Sequence, residues 1–348
     1  MRVKLSNPGW AALLAAAGAA MPLAAQAPAV TVSGVGYAQY LYQLKDTANH
    51  VNNFDVTRAY LNVIGRFAHG VYTRVTGDVY RNTDGSLAYR LKYAYAAWTP
   101  EKSALTFKLG QIHTPWLEWE ESLWDYRMQG PMALDLDGYL SSSDFGAGVD
   151  GMWKSDLVNM QVGVYNGEFY SKAPGDQRKD LEGRLSIRLV SSDQNGRLGG
   201  LRLTGYAGYG KPTGGGKRER YIGMLSYRSK LLTLAGELAS TRDTVNAIGL
   251  TPAVAQKTGR VISGFGVVRV PPSYKFQLIG RVDVTDPNTA STSTSDRQTR
   301  YIGGVAYEIS GNLRVLADID HLVYQGGTPT PALEAVRSQA LFQIQLTF

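Results

Sequence analysis

The sequence predicts an all-β protein, a transmembrane antiparallel β-barrel of about 16 strands with a long third loop folded into its pore. Three observations carry this prediction. The chain opens on an export leader, apolar and polar side chains then alternate in repeated segments, and the connections between segments alternate between short and long. A closed barrel accounts for all three, because it pairs every strand and gives one face to lipid and the other to water.

The N-terminus has the pattern of a cleavable export signal. A basic start at Arg2 and Lys4 precedes an alanine-rich apolar run, and the small residues of "AQA" offer a cleavage site. The run is short for a membrane anchor, which needs ~20 apolar residues. We therefore assign residues 1–27 to a signal peptide and 28–348 to the barrel, with cleavage after Ala29 as the alternative.

Composition narrows the function classes. The 348 residues include no cysteine, which excludes disulfides and thiolate metal sites. The formal net charge is +7, but lysine and arginine are spread along the chain without a dense basic run, so nucleic acid is not predicted as a partner. The histidines fall in no catalytic or metal-binding motif, so the sequence predicts no enzyme, no metal and no cofactor. These histidines are His50, His69, His113 and His321.

Past the leader, apolar and polar residues alternate with a period of two. In "RAYLNVIGRF", Leu61 and Val63 lie on one face, and Arg58 and Asn62 lie on the other. The pattern recurs in "VYTRVTGDVYR", "EGRLSIRL", "YKFQLIGRVDV", "NLRVLADID" and the final "SQALFQIQLTF". Because nearly every strand carries charged and polar residues along its second face, we favour a barrel with a wet lumen over a soluble sandwich or a propeller.

The connections alternate in length. Tight ones occur at "FAHG", "TPEKS", "KSD", "SKL", "PPS" and "SGN", and one connection near 190–199 is looser than its place in the alternation requires. Short turns at one end and long loops at the other are typical of transmembrane barrels. The expected long loops are 45–53, 82–88, 113–143, 166–180, 210–218, 242–259, 285–298 and 325–335.

The inward face is rich in cations. By strand register it carries about seventeen lysines and arginines against about nine acids, since a lipid-facing arginine near the membrane centre costs ~2–4 kcal/mol. A basic wall in a narrow pore concentrates anions and repels cations. The alternative for each cation is that it only hydrates the pore and pairs with an acid. The predicted anion-pathway residues are Arg58, Arg74, Lys92, Lys108, Arg184 and Arg281.

The longest connection, 113–143, is predicted to fold into the pore and narrow it. Its tryptophans are too apolar for a freely solvated outer loop, and Pro115 begins a short predicted helix with acids in its first turns. Those acids are expected to face the basic wall and set a transverse field, or to pin the loop to lumen arginines. The tryptophans either stack on a ring-bearing solute or, as we favour, pack against the wall. The predicted constriction residues are Trp116, Glu118, Trp119, Glu120, Glu121, Trp124, Asp125 and Arg127.

Several stretches together resemble the outer-membrane porins of the phosphate-selective O/P type. The matching stretches are "FDVTRAYLNVIGRF" (54–67), "KLGQIHTPWLEWEES" (108–122), "SDFGAGVDG" (143–151), "MQVGVYNGE" (160–168) and the final Phe348. The resemblance implies a homotrimer in which the third loop constricts each pore, and it implies that Phe348 is a signal for the outer-membrane assembly machinery. Trp116 stands where the family usually has phenylalanine. The family's phosphate-binding arginines have no residue-by-residue match here, so phosphate specificity does not carry over.

These features predict a passive, water-filled diffusion channel in the bacterial outer membrane. It would carry small hydrophilic solutes and prefer phosphate-like or carboxylate anions. Its predicted partners are outer-membrane lipid, small anionic solutes and further copies of the same chain. The alternatives are a non-selective general diffusion porin, an outer-membrane barrel enzyme, and a structural barrel with a plugged lumen.

Overall fold

A computed structural model describes residues 29–173, 175, 177–194, 196–211, 216–246, 254–289, 296–326 and 329–348, so the predicted signal peptide, 1–27, lies outside the described residues. No helix in these ranges is long and apolar enough to cross a membrane. The strands are β1 (Ala29–Gln43), β2 (Asn52–Arg66), β3 (Val71–Arg81), β4 (Leu87–Trp98), β5 (Leu105–His113), β6 (Ser143–Trp153), β7 (Val158–Tyr165), β8 (Asp180–Val190), β9 (Gly200–Gly210), β10 (Arg218–Arg228), β11 (Leu232–Asn246), β12 (Val254–Arg269), β13 (Phe276–Asp286), β14 (Gln298–Ser310), β15 (Leu313–Tyr324) and β16 (Ser338–Thr347). The helices are α1 (Leu117–Trp124), α2 (Ala133–Leu136) and α3 (Pro331–Val336).

The strands of the described chain close into one antiparallel barrel. Each of the sixteen pairs with the next in sequence, and β1 pairs with β16 from Val35↔Thr347 to Gln43↔Gln339. Closure satisfies every strand without leaving an edge, as a membrane requires. The predicted fold is confirmed, including the entry of the third long loop into the lumen, where its side chains join the buried core.

Tight turns and longer loops alternate between the two ends of the barrel, as predicted, and the β8–β9 connection is loose, as its sequence indicates. One expected loop, 242–259, is shorter than predicted, because β11 and β12 stay paired as far as Asn246↔Val254. The extra pairs mix polar residues with Val245, Val254 and Ala255, and neither face is consistently apolar, so alternation does not mark them as strand. The tight connections are 67–70, 99–104, 154–157, 229–231, 270–275 and 311–312.

Side chains alternate between a lipid-facing and a lumen-facing surface. Leu61, Leu185 and Leu278, on the predicted outer face, are 41 %, 46 % and 43 % exposed. Ser186 and Thr204 on the inner face are 0 % and 1 % exposed. Apolar residues are thus the exposed ones and polar residues the buried ones, which is the arrangement a barrel in lipid needs.

Aromatic side chains stand exposed near both rims of the outer surface. Amphipathic rings are favoured at the depth of the lipid headgroups, so two such girdles mark the membrane boundaries. The short-turn rim carries Phe67, Trp98, Phe107, Trp153, Phe276 and Tyr307, and the long-loop rim carries Phe54, Tyr89, Phe145, Tyr209, Tyr221 and Tyr301.

The C-terminal residue joins the seam between the first and last strands. Phe348 N donates to Gly34 O at 3.1 Å, and Gly34 N donates to Phe348 O at 2.8 Å. The phenyl ring lies over Gly34, where a Cβ would come within 2.2 Å of it. Glycine is therefore required at position 34 to seat the terminal ring, which is 68 % exposed on the outer surface.

Lys108 and Leu109 are neighbours on β5 that face opposite sides of the barrel wall. Leu109→Arg should cost ~2–4 kcal/mol or block assembly, because Leu109 is 69 % exposed on the lipid face at mid-strand. Lys108→Arg, the matched control, should change stability little, because it keeps a cation beside Asp150 in the lumen. The free energy of unfolding from lipid vesicles, followed by tryptophan fluorescence, measures both. Equal losses would contradict this strand register.

Candidate functional site

The constriction loop, residues 114–142 with α1 and α2, lies inside the barrel against one side of its wall. Its helices contact β11 and β12. Trp116, Trp119 and Trp124 have no solvent exposure. The ring centroids of Trp116 and Tyr206 are 5.9 Å apart, and those of Trp124 and Phe265 are 5.4 Å apart. The tryptophans therefore pack on the wall, and burial of these large rings holds the loop there.

Wall arginines hold the loop by its backbone. Arg184 Nε donates to Pro115 O at 2.8 Å, and its side chain stacks on Trp119, with the guanidinium carbon 4.1 Å from the ring centroid. Arg281 Nη1 donates to Pro131 O at 2.8 Å. Two of the predicted pathway residues, Arg184 and Arg281, thus lie behind the loop, 3 % and 2 % exposed, rather than beside open space. Pro115 is buried, and a buried carbonyl needs such a donor.

The open side of the lumen holds a chamber of about 330 Å³ between the loop and the wall formed by β1–β5. The wall contributes Arg74 and Lys92, and the loop contributes Glu118, Glu121 and Asp125. The loop also contributes Arg127, so the wall side of the chamber is basic and its loop side is mostly acidic.

The cations of the chamber wall bond only to neutral groups. Arg74 Nε donates to Thr76 Oγ1 at 2.9 Å, its Nη2 donates to Asn62 Oδ1 at 2.9 Å, and its Nη1 lies 3.2 Å from His113 Nε2. Lys92 Nζ donates to the Tyr60 hydroxyl at 3.1 Å. Among the described residues, neither Arg74 nor Lys92 forms an ion pair with a carboxylate.

The acids of the chamber, in contrast, are each matched by an arginine. The closest N–O distances are 2.7 Å from Glu118 to Arg197, 2.8 Å from Glu121 to Arg127 and 3.5 Å from Asp125 to Arg314. Although its burial acts in the opposite direction, the ion pair with Arg197 lowers the pKa of Glu118 to about 2. Each of these loop acids therefore has an arginine partner, whereas Arg74 and Lys92 have no carboxylate within ion-pair distance among the described residues.

The other two predicted pathway cations line the lumen but are compensated. Arg58 lies 3.8 Å from Asp78 and donates to the Tyr60 hydroxyl at 2.9 Å. Lys108 is paired with Asp150. Their fields are partly cancelled by these partners, so they contribute less to the potential of the chamber than an unpaired cation does.

A β-bulge in β4 brings two adjacent side chains into the chamber. The β3–β4 register passes from Thr76↔Tyr93 to Gly77↔Leu91, which leaves Lys92 as the extra residue. Lys92 and Tyr93 are both turned inward, 3 % and 6 % exposed. Strict alternation places Tyr93 on the lipid face, so sequence reasoning missed it. The outward positions of β4 are odd-numbered as far as Leu91 and even-numbered after it. This change along the sequence is the signal of the bulge.

Glu120, one of the predicted constriction residues, faces away from the chamber. The sequence predicts that Glu120 faces the basic wall. Instead, Glu120 is fully buried against β11, where its carboxyl group contacts that of Glu237. The helix explains the correction, because Glu118 and Glu121 lie three residues apart on one side of α1 and Glu120 lies on the other. Burial, with the nearby Glu237 carboxyl, raises the pKa of Glu120 well above its ordinary value. A carboxyl–carboxyl contact of this kind requires a shared proton.

No family model and no curated protein matches this sequence. Several solved structures match its fold. The anion-selective porin from Comamonas acidovorans aligns with a TM-score of 0.65 at 13 % identity, over 92 % of this chain and 100 % of that one. Salmonella typhi OmpF, in a complex with daunomycin, gives 0.65 at 11 %, over 92 % and 97 %. The trimer form of Vibrio cholerae OmpT gives 0.64 at 11 %, over 93 % and 100 %. The chain therefore has the barrel fold of outer-membrane porins.

The buried Glu120 makes loop docking depend on pH. A raised pKa means that the docked state binds the proton more tightly, so its stabilisation is complete below the ordinary pKa of 4.5 and declines as pH rises. Wild-type protein should resist guanidinium more strongly at pH 5 than at pH 8, as followed by loop tryptophan fluorescence. Glu120→Gln should reduce this dependence, with the buried Glu237 carboxyl left in place, and should stabilise the pH 8 state.

The matched control for Glu120→Gln is Glu121→Gln. It removes the adjacent carboxylate, which faces the chamber and pairs with Arg127, and should leave the pH dependence in place. An unchanged pH dependence in Glu120→Gln would show that the buried carboxyl does not control docking.

Proposed function

We propose that this chain is an outer-membrane channel through which small hydrophilic solutes diffuse passively, with a preference for anions. One observation carries the proposal: Arg74 and Lys92 face the chamber without a described carboxylate partner, whereas each acid opposite them is paired with an arginine. Within the chamber, two cations thus lack a carboxylate partner among the described residues.

The physical effect of two unpaired cations follows from Coulomb's law in a wet, narrow space. Unit charges 4 Å apart interact by ~1 kcal/mol in water and by more where low-dielectric walls exclude water. A chamber with a positive excess raises the local concentration of anions and lowers that of cations. Screening over ~10 Å at 0.1 M salt weakens the effect as salt rises. Phosphate-like and carboxylate anions both meet this requirement.

The fold supports the channel role. Porin structures share it, and one of those proteins is described as anion-selective. We infer from the leader and the lipid-facing girdles that the chain is exported by a cleaved signal peptide and inserted into the outer membrane, with Phe348 as its assembly signal. The trimer form of one structural neighbour supports a homotrimer. Under this proposal the protein is a channel and not an enzyme.

Neutralising the two unpaired wall cations together should weaken anion preference. In planar bilayers under a KCl gradient at low salt, Arg74→Gln with Lys92→Gln should lower the chloride-to-potassium permeability ratio by about fivefold, the equivalent of ~1 kcal/mol. The difference should shrink in 1 M salt, since the Debye length falls to ~3 Å. The zero-current potential is the measurement.

The matched control removes the same charge from exposed turn residues, as Lys102→Gln with Lys230→Gln. It should change the permeability ratio little. If the Arg74–Lys92 variant conducts with unchanged selectivity, the protein is a general diffusion channel. If the wild-type barrel does not conduct at all, it is a structural barrel and the proposal fails.

A further inference from the structure

The hydrogen bonds of Arg74 restrict what it can offer a solute. A guanidinium has five N–H donors, and an oxyanion is bound best by two parallel donors on one edge. Each nitrogen of Arg74 already has a protein partner, in Thr76, Asn62 and His113. These contacts use three of the five N–H donors of Arg74, so two donors and the planar face of the guanidinium remain for a solute.

The Arg74 guanidinium lies beside two further ring side chains, Tyr93 and His113. The Tyr93 ring stacks on the His113 ring at 4.1 Å between centroids and 29° between planes. The Arg74 guanidinium carbon lies 4.6 Å from the same Tyr93 centroid, and its Nη1 contacts the edge of the His113 ring at 3.2 Å. The imidazole and the guanidinium thus contact each other and lie over the same tyrosine ring, and we call these two side chains the Arg74–His113 layer. All three residues line the chamber.

A separate charge lies beside this layer. Lys92 Nζ is 5.7 Å from the Tyr93 centroid and uses one of its three N–H donors on the Tyr60 hydroxyl. The ammonium therefore keeps donors for a carboxylate next to a planar surface that suits a ring. The chamber, at about 330 Å³, falls within the size range of small-molecule sites.

We propose that the chamber selects planar carboxylates, aromatic acids above all, with the ring on the Arg74–His113 layer and the carboxylate on Lys92. This assignment rests on the proposed function and names the solute class of the same site. A guanidinium stacks on aromatic faces, whereas a saturated ring of equal charge cannot present a π-face to it. Phosphate would meet Lys92 without using the layer.

The test compares two acids of the same charge and carbon count in planar bilayers at neutral pH. Benzoate is planar and cyclohexanecarboxylate is not. For each, the measurement is the concentration that halves the KCl conductance of the wild-type channel. Benzoate should need a concentration about two- to fivefold lower, as a single cation–π contact predicts. Phosphate should be weaker than benzoate. Equal values for the two ring acids, or tighter block by phosphate, would overturn the assignment.

Two variants locate the effect. Arg74→Lys keeps the positive charge but removes the planar guanidinium group. Tyr93→Leu removes the aromatic ring that the guanidinium contacts. Each should bring the ratio between the two acids to about one. Retention of the wild-type ratio in both would show that the preference, if measured, does not come from this layer. Conductance in KCl alone shows that each variant has assembled.

Failure of this inference is distinguishable from failure of the proposed function. A wild-type channel that prefers chloride over potassium but treats the two ring acids alike contradicts the solute class and leaves the anion channel intact. A channel without chloride preference contradicts the proposed function itself.

Discussion

Backbone carbonyls inside a barrel must find donors, and in this protein arginine side chains supply them. A loop carbonyl that is buried against the wall without a donor would cost free energy. Arg184, Arg281 and Arg228 donate to Pro115, Pro131 and Ser122. The loop is fixed to that half of the wall, and this attachment determines where the open passage lies.

The same attachment divides the lumen cations by role. Those behind the loop are occupied by carbonyls and tryptophan rings, and Arg58 and Lys108 are paired with acids. Arg74 and Lys92 stay on the open side with neutral partners. All inward lysines and arginines contribute equally to a simple count. The electrostatic field of the passage, however, depends mainly on the cations without an acidic partner.

The sequence predicts the barrel well because lipid and water impose opposite demands on alternate residues. Leu61 and Leu278 show this directly, as each is exposed where a soluble protein would bury it. The entry of the loop was also predictable, since three tryptophans exclude a solvated position. Which wall the loop would meet was not, because arginines occur on the inner face of both halves. The inward turn of Tyr93 depends on a bulge at Lys92 that alternation alone does not place. The orientation of Glu120 was within reach of helical spacing.

Arg74 and Lys92, which lack a carboxylate partner among the described residues, should attract anions to the passage. A crystal of the wild-type protein soaked in bromide tests it directly, because anomalous scattering locates the anion without a variant. We expect a bromide peak in the anomalous difference map, located in the chamber within contact distance of Lys92 Nζ and the Arg74 guanidinium. Bromide found at Arg184 or Arg281 instead, with the chamber empty, would contradict it.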